Sequence, residues 1–145
     1  MSELSKTQAA FGLKFQSQIA FFKQKTLLLT PTYKDIQAHQ HDKAFTVAGA
    51  MKADLLQDLN DAVGRAIEDG ESLGAFRKRF KDIVQKRGWK DYTGSDSAAG
   101  RAWRTRVIYL TNMRTSHAAG RWQQMTTPEM LQSRPYWQYR HVTRS

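Results

Sequence analysis

The stretch "DLLQDLNDAVGRAIEDG", Asp54 to Gly70, decides the fold class. Leu55, Leu56, Leu59, Val63, Ala66 and Ile67 recur at the three- and four-residue intervals of one helix face, with Gln57, Asp58, Asp61 and Arg65 between them. Gly70 stands where a helix ends in a left-handed cap. An apolar stripe of this kind needs a partner, and the next residues supply one. "ESLGAFRKRFKDIVQKRGW", Glu71 to Trp89, restarts a helix with Leu73, Phe76, Phe80, Ile83 and Val84 on one side and stops at Gly88 by the same device. Two helices joined by so short a turn form an antiparallel hairpin.

Working outward toward the N-terminus, residues 1–10 are polar and are expected to be a flexible arm. Phe11, Leu13, Phe15, Ile19 and Phe22 then predict a short amphipathic docking helix with a wide aromatic face. Thr30 as N-cap and Pro31 at the first helical position predict a second short helix. "HDKAFTVAGA" lacks helical spacing and reads as an extended or irregular entry to the hairpin. On the other side, "KDYTGSDSAAG" is a loop signal, followed by a long helix from about Arg101 to Met125. Pro128 and Pro135 interrupt the chain after that helix, and "YWQYRHV" has the aromatic and β-branched content of a strand. The expected fold is mainly α: a helical hairpin plus a long Arg-rich helix, with a short C-terminal β-strand. It divides into the arm at 1–10, docking helices and an irregular segment at 11–50, and a helical region at 51–145 that ends in the strand.

The 145 residues, 40% hydrophobic, suffice for one core, and the absence of cysteine excludes disulfides, thiolate zinc sites and a Cys nucleophile. "AFFKQKTLLL" is interrupted by two lysines, so neither a signal peptide nor a membrane span is expected, and the chain reads as cytoplasmic. The net charge of +10 is unevenly placed. Residues 1–70 carry 7 Lys and 1 Arg against 8 acids, whereas residues 71–145 carry 4 Lys and 11 Arg against 5 acids. Guanidinium groups suit bidentate contact with phosphate or carboxylate, so this half predicts an anionic partner, either nucleic acid or an acidic protein surface. A basic surface that serves only solubility is the plainer alternative.

At 100° per residue, Trp103, Val107, Leu110, Arg114, Ala118, Arg121 and Met125 share one side of the long helix. If that side packs inward, Arg114 and Arg121 are partly buried and need partners, for which Asp54, Asp58 and Asp61 of the hairpin are the structural candidates. Arginine stems that snorkel to solvent are another solution. The functional reading places Arg101, Arg104, Arg106, Arg114 and Arg121, with Arg134 and Arg140, against a nucleic acid or partner protein. Arg101 lies about 160° around the axis from Arg121, so they form no single stripe. No helix-turn-helix, zinc-finger or RNA-recognition signature accompanies them, which argues against sequence-specific reading. Trp103, Trp122, Tyr136, Trp137 and Tyr139 are packing or interface residues rather than a base-stacking platform. His39 and His41 lack a third ligand, so no metal is expected. His117 neighbours Ser116 and Thr115, but adjacent helical residues diverge and do not make a nucleophile and base. No cofactor fingerprint is present, no small-molecule substrate is implied, and the chain is not expected to be an enzyme.

In order, "FFKQK", "AHQHDKAFTVAGA", "DLLQDLNDAVGRAIEDG", "FRKRFKDIVQKRGW", "WRTRVIYLTNMRTSHAAGRWQQM" and "RPYWQYR" resemble the N-terminal part of the phage Mu F-like head morphogenesis proteins, from about Phe11 to His141. The resemblance implies a minor head protein that acts in capsid morphogenesis, meets the portal protein and other head proteins, and touches double-stranded DNA without sequence preference. It places the chain in the host cytoplasm during assembly and then in the virion head. Family members continue past the "YWQYR" strand, so residues 51–145 are expected to be a shortened head-morphogenesis domain whose last strand has an open edge. A stand-alone basic nucleic-acid-binding module and a non-functional prophage remnant are the alternative readings.

Overall fold

The computed structural model describes residues 14–35, 43–138 and 140. The expected arm at 1–10, His39, His41 and Tyr139 lie outside the described residues. The hairpin forms as predicted: α2 is Ala53–Asp69 and α3 is Leu73–Arg87. Gly70 and Gly88, each at φ 66°, close them in the left-handed conformation that costs a side-chain-bearing residue most. Ser72 starts α3 by accepting a hydrogen bond from the Ala75 amide at 3.2 Å. Arg87, in the last turn of α3, bonds Asp58 at 2.7 Å and Asp54 at 2.8 Å on α2. Arg79 pairs with Glu71 across the turn.

Ahead of the hairpin lie α1, Gln16–Lys23, and two short parallel strands, β1 at Thr26–Leu27 and β2 at Ala44–Phe45, with Thr26 opposite Ala44. The helix expected after Thr30 and Pro31 begins, within the described residues, as a single 3₁₀ turn at Tyr33–Asp35. Thr32 rather than Thr30 caps it, its hydroxyl accepting from the Lys34 amide at 3.0 Å. Thr30 instead turns inward, and its carbonyl accepts from Gly49 at 2.9 Å.

Leu55, Leu56, Leu59 and Val63 of α2 make the centre of the core, met by Phe76 and Phe80 of α3, Ile19 and Phe22 of α1, Phe45 of β2 and Val47 just after it, and Ile108 of the long helix. That helix, α4, runs Ala98–Met125, with Ser97 accepting from Gly100 at 2.9 Å as its cap. Tyr92 from the preceding loop packs edge-on to Phe80 at 5.5 Å and so ties the loop to the hairpin. A short α5, Pro128–Ser133, follows.

The expected C-terminal strand does not form among the described residues: 134–138 and 140 are irregular and exposed. A strand needs a neighbour to take its amide and carbonyl groups, and neither of the two short strands pairs with this segment. Beyond Gly120 none of the described residues is buried. No helix among them is long and apolar enough to cross a membrane.

Candidate partner and nucleic-acid interface

The side of α4 that carries Trp103, Val107, Leu110, Arg114 and Arg121 is indeed one side, but it faces solvent. Trp103 is 51% exposed and Val107 40%, and Arg114 and Arg121 are exposed as well. The expectation that this side packs and partly buries the two arginines is therefore corrected. The proposed pairing with the hairpin acids does not occur either: Asp54 and Asp58 are engaged by Arg87, and Asp61 accepts from Gln57 at 2.8 Å.

Apart from Ile108 in the core and Arg104, what α4 turns fully inward is small or polar: Thr105, Ser116 and Gly120. These let α1 come close. A Cβ on Gly120 would stand 2.8 Å from the Gln18 amide nitrogen and 2.9 Å from the Phe15 ring. Gln18 donates to the Ser116 hydroxyl at 3.0 Å and to the Met113 carbonyl at 3.3 Å. Ser116 in turn donates to the Asn112 carbonyl at 2.6 Å, so the buried amide and hydroxyl are satisfied together. Phe15 closes the seam edge-on to His117 at 5.3 Å. Farther up the helix, Arg77 of α3 donates to the Thr105 hydroxyl and the Ala102 carbonyl, both at 3.0 Å. With its inward face held by these contacts, α4 leaves an apolar and cationic stripe outside.

Of the arginines singled out from sequence, Arg101, Arg106, Arg114, Arg121, Arg134 and Arg140 are exposed. None of them has a carboxylate within ion-pair distance among the described residues. Glu129 is the one acid from Ala98 to Arg140, so this length of chain has almost no negative charge of its own to meet. Arg114 and Arg121 share the outward stripe, while Arg101 donates to the Ser95 carbonyl at 2.9 Å and sits apart at the start of the helix. Arg104 does not belong to this surface, for it is only 8% exposed. The aromatics separate in the same way. Trp122 and Trp137 meet edge-on at 4.7 Å, which folds the segment after α5 back along α4, while Tyr136 stands 91% exposed. An exposed surface rich in Trp, Tyr and Arg has the composition that protein interfaces favour, and its guanidinium groups equally suit phosphates.

The chain is 32% identical over 129 residues to protein F of Escherichia phage Mu, which is named for capsid assembly; the match takes in 83% of this chain and 29% of that protein. It is 34% identical over 103 residues to the Mu-like prophage FluMu F protein of Haemophilus influenzae, over 68% of this chain and 24% of that one. The chain thus corresponds to less than a third of the length of these curated relatives. No family model matches it, and no solved structure matches it significantly.

Proposed function

Because the chain belongs to the Mu F-like family, we propose that it is a minor head protein of a phage or prophage, acting without catalysis in capsid assembly. In this reading it joins the head at the portal vertex, where the outward stripe of α4 and the arginines beyond it meet the portal and the packaged DNA. The observation that supports a binding role is the set of exposed arginines with no carboxylate partner beside exposed Trp103 and Trp122. Among the described residues, no carboxylate of the fold pairs with them.

The test is Arg114→Glu with Arg121→Glu. Both residues are exposed, so the variant is expected to fold with stability within about 0.5 kcal/mol of the parent. It should be missing from purified heads and should lose portal capture. Its DNA affinity should fall, with a salt dependence shallower by about 1.8 in log–log slope for two lost phosphate contacts. Incorporation into heads at the parental level with DNA affinity unchanged would overturn the assignment of the stripe. Loss of DNA binding with portal capture and incorporation intact would confine it to the genome.

A further inference from the structure

Arg104 lies on the inward side of α4, 8% exposed, where charged side chains are almost never found without a counter-charge. Its Nη2 donates to the Ala48 carbonyl at 2.6 Å, but its Nε is buried and has no hydrogen-bond partner among the described residues. No carboxylate among the described residues reaches it. Burial pushes the guanidinium below its ordinary value, and the neighbouring Tyr92 opposes this only in part. One carbonyl dipole is weak compensation for a desolvated cation.

Arg104 lines a groove of about 360 Å³ between α4 and the segment that continues β2, with Ala48 and Ile108 among its apolar walls and Lys25 at its side. The polar side chains along it are not equally engaged. Asn112 donates to the Ile108 carbonyl at 2.8 Å and Thr115 to the Thr111 carbonyl at 2.8 Å, so both are satisfied by their own helix. The Thr46 hydroxyl, by contrast, is buried without a partner among the described residues, as is the Arg104 Nε. Thr46 and Arg104 both line the groove, and each keeps a donor just beneath its surface that is unpartnered among the described residues, which suits an acceptor-only group of negative charge.

We infer that this groove receives a carboxylate side chain, Asp or Glu, from a protein partner, with Arg104 and Thr46 as its donors. A carboxylate is a planar acceptor that matches the edge of a guanidinium, and a single side chain can enter between apolar walls. A duplex is a rigid convex rod whose phosphates cannot reach in there. The inference stands on the groove beside Arg104 and does not require the exposed arginines of α4 to bind DNA.

The test is NMR of the whole chain labelled with ¹⁵N-arginine, at low salt, reading the Arg104 Nε–Hε resonance. The probes are the blocked peptides Ac-Ala-Glu-Ala-NH₂ and Ac-Ala-Gln-Ala-NH₂, and inorganic phosphate. The Glu peptide should shift the resonance saturably and bind at least about tenfold more tightly than the Gln peptide. Arg104→Met should abolish saturable binding, read on the groove amides. Should Arg104→Met not fold, Thr46→Val keeps the shape of the wall and should weaken the Glu peptide about threefold or more, without lowering Tm. Equal response to the Glu and Gln peptides, or no saturable response, would make Arg104 a structural cation and overturn the proposal. Tighter saturation by phosphate than by the Glu peptide would also overturn it, in favour of a phosphate ligand.

Discussion

Replacing Gly120 by alanine separates helix propensity from helix packing, and Gly64 provides the matched comparison. Both glycines sit inside helices, Gly120 in α4 and Gly64 in α2. By propensity alone each Gly→Ala change gains about 0.8–1 kcal/mol. The surroundings differ. At Gly64 the new Cβ meets a ring carbon of Phe22 at 3.2 Å, a contact relieved by a few tenths of an ångström of side-chain movement. At Gly120 it meets the backbone nitrogen of Gln18 at 2.8 Å and its Cα at 3.1 Å, and backbone cannot step aside without carrying α1 with it. Overpacking of this kind costs about 1–3 kcal/mol, and displacing α1 also loosens the bonds from Gln18 to Ser116 and Met113. Gly64→Ala is therefore expected to lie between the parent and about 1 kcal/mol more stable, and Gly120→Ala about 1–2 kcal/mol less stable than the parent. Urea unfolding followed by circular dichroism gives the difference, and hydrogen exchange at the α1 amides should quicken only in Gly120→Ala. If the two variants were equally stable, or α1 protection were unchanged, the close seam between α1 and α4 would be wrong.

Two further outcomes test the hairpin. The hydrogen bond from Arg87 holds the Asp58 carboxyl below its ordinary value, and partial burial opposes the shift. A depressed carboxylate stabilises the fold above its unfolded pKa of about 3.9 and loses that contribution as pH falls through the lower folded value. Asp58→Asn should thus be less stable at neutral pH and should lose less on acidification from about pH 6 to about pH 3, read as a shift of the urea midpoint; an identical acid loss would count against the pair. Ser72→Ala should cost about 1 kcal/mol and Ser72→Gly only a few tenths, measured in the same way, with equal cost counting against the cap.

The parts legible in the sequence are those where burial and apolarity coincide. Leu55, Leu56, Leu59 and Val63 predicted α2, and the same residues are its buried face, with Gly70 and Gly88 ending the helices where expected. On α4 the coincidence fails. Its inward side carries Ser116 and Gly120, which serve close approach rather than hydrophobic burial, while Trp103 and Val107 are left outside. Periodicity therefore found the correct stripe and assigned it the wrong side. A signal was present in the spacing of Ser116 and Gly120, four residues apart as helix-contact positions are, but it has meaning only with Gln18 lying across them. The Arg104 groove was not legible, because Ala48, Thr46 and Arg104 meet through tertiary packing that no local pattern encodes. The two-residue strands were also beyond reach, being too short to show alternation.

The seam of small residues between α1 and α4 also bears on how such a chain can change over generations. Gly120 and Ser116 answer for folding, while Trp103, Arg114 and Arg121 on the opposite side carry almost none of that burden. Under the proposed binding role, substitutions on the outer side are filtered by what the protein meets rather than by whether it folds. On that reading, a lineage that met a new partner would rewrite that surface one residue at a time, with the scaffold beneath it unchanged.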